Sequence, residues 1–163
     1  MLYVLNTKSG GKNLDEMKDE RWPRLTDFLS ASGSASVIVD AVTESDLKDV
    51  SDEERTAMHK ELGVRGGIDD LIVEGYKLLN LITFLTTGED ETRAWTIQRG
   101  STAPLAGTAI HTDFKDKFIR AEVVFWKDLI DAGSYAAARE KGVVRTEGKE
   151  YIVKDGDVIE FRI

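Results

Sequence analysis

Three stretches in the second half of this 163-residue chain repeat with a period of two, and that alternation restricts the fold more than any other feature. Residues 93–98 place Trp95 and Ile97 on one side. Residues 119–125 set Ile119, Ala121, Val123 and Phe125 against Arg120, Glu122 and Val124. The final residues set Ile159, Phe161 and Ile163 on one face. A period of two suits a strand with one buried face, whereas a helix would scatter the same apolar residues around its circumference. Pro104, between the first two stretches, suits the first turn of a short helix. Arg93 to Arg120 therefore reads as strand, helix, strand. Ser134–Lys141 reads as an alanine-rich helix stopped by Gly142, with turns at 146–148 and 154–157.

Upstream the pattern differs. Leu2–Leu5 is fully apolar, as in strands buried on both faces of a parallel sheet. A loop with Gly10 and Gly11 follows. The next helix spans Leu14–Ala31 or starts near Pro23, with Leu25, Phe28 and Leu29 as its core face and Gly33 at its end. Val37–Val39 is a second short buried strand. Strand, helix, strand at this spacing predicts the tail of an α/β sheet. Ser51 and Glu54 have the spacing of a capping box, with the helix running to Leu62 and Gly63 as its C-cap. Gly66-Gly67 reads as a hinge. An amphipathic helix then carries Ile68, Leu71, Ile72, Gly75, Leu78/Leu79 and Ile82 on one stripe and is closed by Thr86-Thr87-Gly88. The stripe fits burial against its own domain better than a partner groove. The class is α+β. In the second half, helices on one side of a mixed sheet meet the requirement of a β-grasp (ubiquitin-like) fold.

Composition excludes several chemistries. There is no cysteine, hence no disulfide, thiol catalysis or thiolate-bound metal. No apolar run approaches the roughly 18–20 residues of a membrane span. Net charge is −8, with ten Lys/Arg against sixteen Asp/Glu in the first 80 residues and twelve against fourteen in the rest. That balance argues against strong unspecific RNA affinity but leaves room for a local basic patch.

Few residues invite chemistry. His111 and Asp113 flank Thr112, but one His and one Asp fall short of the usual three protein ligands of a catalytic zinc, and structural hydrogen bonding is the preferred reading. Asp40 follows an apolar strand, as a Walker-B carboxylate does, but a turn or cap role accounts for it more simply. The cations Arg93, Arg99, Lys115, Lys117 and Arg120, with Trp95 nearby, form the one cluster suited to RNA, where cations meet phosphates and an aromatic stacks a base. Core packing for Trp95 and a solvated, mixed-charge face for the others, given Asp113, Asp116 and Glu122, is the competing reading.

Many short motifs in order carry a family resemblance: Leu78-Leu-Asn-Leu81, Phe84, Thr87-Gly88, Arg93-Ala-Trp-Thr-Ile97, Gly100, Ala103-Pro104, Ile110-His-Thr-Asp-Phe114, Phe118-Ile-Arg-Ala-Glu122, Glu147-Gly-Lys149, Tyr151-Ile-Val153 and Asp155-Gly-Asp157. With Ser51-Asp-Glu-Glu-Arg55 and Glu61-Leu-Gly63, they resemble the C-terminal part of the Obg-like ATPases of the YchF type, including its TGS domain. The resemblance implies a remnant of an α/β P-loop domain over 1–62, a connecting helix over 63–82 and a β-grasp TGS domain over 83–163. It places Asn6 and Thr7 in the base-recognition loop, where the family pattern is Asn-x-x-Glu, but Ser9 stands in place of the Glu and Asp40 in place of a small polar residue. A solvated strand-end loop is the favoured reading of Asn6 and Thr7, because no phosphate-binding G-x-x-x-x-G-K-[ST] accompanies them and Gly10-Gly11-Lys12 lacks its first Gly and its Ser/Thr. The P-loop is expected to precede Met1. The resemblance thus implies a cytoplasmic regulatory and binding module that docks to the ribosome or ribosomal RNA. ATP and Mg belong to the family's intact protein, and no hydrolysis of ATP or GTP is expected from this chain alone. No membrane or DNA partner is expected. The alternative is a β-grasp adapter for a protein partner.

Overall fold

A computed structural model describes residues 1–64, 66–88 and 91–163. The chain divides into two compact units, Met1–Leu78 and Leu79–Ile163. In the first, β1 (Leu2–Asn6), α1 (Arg21–Ala31) and β2 (Ala35–Val39) form a parallel two-stranded sheet with its crossover helix, in register from Leu2↔Ala35 to Asn6↔Val39. α1 begins at Arg21, so Pro23 lies in its first turn, where a missing N–H costs no helical bond. Leu29, Val37 and Val39 are buried. β1 is not buried on both faces, however. Among the described residues β1 pairs with β2 alone, and its Val4 is 49% exposed.

Three helices follow: α2 (Ala41–Asp46), α3 (Asp52–Leu62) and α4 (Ile68–Leu78). The capping box at α3 forms as its sequence predicts, with the Ser51 hydroxyl accepting from the Glu54 amide and the Glu54 carboxylate accepting from the Ser51 amide, and Gly63 closes the helix in the left-handed conformation. Gly66 is a tight contact rather than a free hinge, since a Cβ there would sit 2.3 Å from the Ile38 carbonyl oxygen. α4 contains no fully buried residue; Ile72 and Leu78 are about half exposed. The helical stripe also does not continue to Ile82. α4 ends at Leu78, Asn80 adopts a left-handed φ of 54°, and residues from Leu81 onward are strand.

The second unit has β3 (Leu81–Thr87), β4 (Thr92–Gln98), α5 (Ala103–Gly107), α6 (Asp113–Lys117), β5 (Arg120–Phe125), α7 (Trp126–Ala132), α8 (Tyr135–Glu140), β6 (Arg145–Glu147) and β7 (Asp157–Arg162). Its five-stranded sheet has the order β4-β3-β7-β5-β6, in which β3 and β7 are parallel and the other pairs antiparallel. One face carries Ile82, Phe84, Ile97, Ala121, Val123 and Ile159, which pack with Ala103 and Ala106 of α5 and with Phe118. Phe161 meets Phe84, Phe114 and Phe118 edge-on.

Helices cover both faces of this sheet, not one. Arg139 of α8 reaches Glu122 and Glu160, whose side chains alternate away from Val123 and Ile159 and so lie on the opposite face. That second cover explains why Val124 is buried, against its polar-side placement in the sequence pattern. Ile119 and Phe125 are exposed at the strand ends, and Ile163 lies beyond β7 and is half exposed.

Gly156 has a φ of 81°, donates to the Thr83 carbonyl and accepts from the Trp126 amide. A Cβ there would meet Trp126 Cδ1 at 2.7 Å and Phe125 Cε2 at 2.9 Å. We expect Gly156→Ala to destabilise the second unit by about 1–3 kcal/mol. Gly148→Ala, where nothing lies within 4 Å of the new Cβ, should change stability far less; urea titration followed by tryptophan fluorescence compares them.

Candidate nucleic-acid interface

The loop after β1 is held by its own backbone. Asn6 Oδ1 accepts from the Ala41 amide at 3.1 Å, and the Thr7 amide donates to the Val39 carbonyl at 2.9 Å. Asp40 is 2% exposed. It caps α2, its Oδ1 accepting from the Thr43 amide at 3.1 Å and its Oδ2 from the Ser9 amide at 2.5 Å. Burial opposes its charge, but the Ser9 and Thr43 amides outweigh burial and bring its pKa down to about 2. The Gly11 amide donates to the Lys8 carbonyl at 2.9 Å, closing a turn. Asn6, Asp40 and Gly11 therefore spend polar groups inside the loop.

His111 and Asp113 belong to the start of α6. The Asp113 amide donates to His111 Nδ1 at 3.2 Å, while Lys117 Nζ donates to Asp113 Oδ2 at 2.5 Å. That hydrogen bond, with the lysine charge, lowers the Asp113 pKa. Among the described residues no group of three or more His, Asp and Glu is placed to hold a metal ion. Hydrogen bonding accounts for both residues.

The six residues proposed for RNA contact do not form one patch. Arg93 stacks on Trp95, its guanidinium carbon 4.3 Å from the ring centroid, and Trp95 Nε1 donates to Thr86 Oγ1 at 2.9 Å. Trp95 also packs against the core. Arg99 follows the opposite end of β4, about 20 Å from Arg93 along the strand. Lys115 and Lys117 lie on α6, and Arg120 opens β5, three strand positions from β4 or about 14 Å across the sheet. Lys115, Lys117 and Arg120 thus stand apart from the Arg93–Trp95 pair.

The sheet supplies neighbours for Arg120 that the sequence pattern does not reveal. Arg120 lies directly opposite Arg162, and Glu122 directly opposite Glu160. All four share the face covered by α8, where Arg139 contacts both glutamates. Arg162 Nη2 lies 2.8 Å from Glu160 Oε1. A cleft of about 700 Å³ opens beside them, lined by Thr87, Gly88, Ser134, Tyr135, Arg139 and Arg162 among others. Burial, followed by the charges of Glu160 and Glu122, pushes the Tyr135 hydroxyl up to about 12, so it is neutral at physiological pH. Alternation places Arg162 on this face, but its pairing with Arg120 depends on the β5–β7 register, which one sequence does not specify.

The family model YchF-GTPase_C, "Protein of unknown function (DUF933)", matches residues 81–163. The "Ribosome-binding ATPase YchF" of Bacillus subtilis (strain 168) is 42% identical over 163 residues, covering 99% of this chain and 44% of the relative. "Obg-like ATPase 1" of Caenorhabditis elegans is 39% identical over 164 residues, covering 99% and 41%. The solved "Structure of the Schizosaccharomyces pombe YchF GTPase" has a TM-score of 0.84 at 32% identity, covering 99% of this chain and 43% of that one. The chain thus spans less than half the length of the curated relatives it matches.

Because folding holds Asp40 ionised, it adds stability that is present above the ordinary carboxyl value of 3.8 and is lost as pH falls toward about 2. Asp40→Asn should lower stability at neutral pH and flatten its decline across that window, as read by urea titrations at a series of pH values.

Proposed function

This chain belongs to the YchF type of Obg-like ATPases, and on that premise we propose that it is a regulatory and binding module that docks to the ribosome through ribosomal RNA. The name "Ribosome-binding ATPase YchF", carried by relatives 42% identical to this chain, supports a ribosomal partner. The mixed sheet, with β3 and β7 parallel at its centre, supports reading residues 83–163 as a β-grasp TGS domain. The observation that carries the docking reading is the run from Lys115 on α6 to Arg120 on β5, which the sheet extends to Arg162. Arg120 and Arg162 set two exposed cations side by side on a chain of net charge −8, as a local phosphate-binding patch requires.

We assign no ATP or Mg step to this chain. Phosphate cradling needs free backbone amides from a glycine-rich loop, and the Gly11 amide is spent on the Lys8 carbonyl. Those cofactors belong, in this reading, to the intact protein.

A protein adapter is the second reading, and β4 favours it. This edge strand pairs with β3 over seven residues without a break and contains no proline, features that suit pairing with an extended partner segment.

Co-sedimentation with purified ribosomes at low and near-physiological salt tests the proposal. Wild-type chain should sediment at low salt and lose affinity steeply as salt rises. Lys115→Glu with Arg120→Glu should weaken binding at least about tenfold, the order expected for losing phosphate contacts. Lys117 is left intact, because reversing it would set two carboxylates one helical turn apart with Asp113. Absence of sedimentation at both salts refutes docking by this chain. Binding insensitive to salt and to charge reversal favours the adapter.

A further inference from the structure

We propose that Arg120 and Arg162 together hold a single phosphate of an RNA backbone; this rests on the docking reading above. The two arginines are direct cross-strand partners on one face of the β5–β7 pair. Like charges so placed destabilise a sheet unless a counter-ion joins them. The adjacent row shows such a solution inside the fold: Glu122 and Glu160 also face each other, and Arg139 from α8 contacts both. Among the described residues the arginine row has no equivalent bridge. Arg162 leans along its own strand to Glu160, and no ion pair joins Arg120 to a carboxylate among the described residues. Arg139 and Arg162 share the two carboxylates, while Arg120 is exposed and, among the described residues, keeps its charge without an ion-pair partner.

The chemistry of a phosphate suits this arginine pair. The two non-bridging oxygens of a backbone phosphodiester can accept from two guanidiniums at once. Arg162 is 44% exposed, and Arg120, at the start of β5, is exposed as well. The pair is therefore accessible to a backbone passing over the surface, and Lys115 on the neighbouring helix lies on the same stretch of chain. Thr87, Gly88 and Ser134 give the adjoining cleft small walls that leave an approach to Arg162.

The test uses the whole chain with Arg120→Gln, Arg162→Gln and the double variant. Each removes a like-charge neighbour, so melting temperature should stay level or rise. The slope of log affinity against log salt for ribosomes should fall by about 0.7–0.9 in either single variant, the contribution of one phosphate. The double variant should lose no more than the singles, because both arginines share that phosphate. In parallel, inorganic phosphate should shift the Nε–Hε resonances of both arginines in the wild-type NMR spectrum, and either single variant should abolish the shift at the remaining one.

Additive slope losses in the double variant would mean two separate contacts and overturn the shared site. Ribosome binding with unchanged slopes and no phosphate-induced shift would overturn the arginine pair while the docking reading stands. Paired shifts without any ribosome binding would overturn the RNA assignment together with the docking reading. Stronger protection of both resonances by a free nucleoside diphosphate than by single-stranded RNA would overturn the RNA source in favour of a small ligand.

Discussion

β7 turns Val158 toward Leu129 and Ile130 of α7 and Ile159 into the cluster that contains α5, so one strand anchors both layers of the second unit. It pairs parallel to β3 on one side and antiparallel to β5 on the other. Its first residue, the buried Asp157, accepts from the Tyr151 hydroxyl and the Lys154 amide, both at 2.8 Å. Burial and then the bond to Asp157 push the Tyr151 hydroxyl up to about 12, so it remains a donor. Phe161 centres the aromatic cluster. The same strand carries Glu160 and Arg162 to their partners on β5. Core, polar anchor and charged face therefore depend on one pairing register, and a one-residue slip would invert every side chain on the strand.

The first unit is built differently. Two parallel strands bury too little surface to hold a sheet by themselves, and Val4 and Phe28 remain about half exposed. Local devices supply much of its order: the Asp40 carboxylate ties the Ser9 amide to the start of α2, and the capping box fixes α3. Gly66 lets the chain pass against the backbone of β2.

Features set by neighbouring residues were legible in the sequence. The box at Ser51 and Glu54 and the left-handed Gly63 and Gly142 all follow from side chains three residues apart or from glycine at a positive φ. The alternation of Trp95 with Ile97 also survives in the fold. The error between Leu78 and Ile82 arose because those apolar residues satisfy a helical stripe as well as the alternation Ile82, Phe84. Asn80, in the left-handed region, decides between them. Val124 looked polar-facing because a single strand does not show that α8 covers its second side. Arg139 and Arg162 were illegible for a related reason: their partners lie 17 residues away on another element, in the case of Arg139 and Glu122, or depend on strand register, in the case of Arg162 and Arg120. The family resemblance does not single out this face.

In the proposed docking, the second unit meets ribosomal RNA through cations of α6, β5 and β7. Ultraviolet cross-linking of the bound chain to ribosomes, followed by mass-spectrometric mapping of RNA-adducted peptides, tests it most directly. Adducts are expected within 113–125 and 157–163. Adducts confined to Met1–Leu78, or cross-links to ribosomal proteins alone, would contradict it.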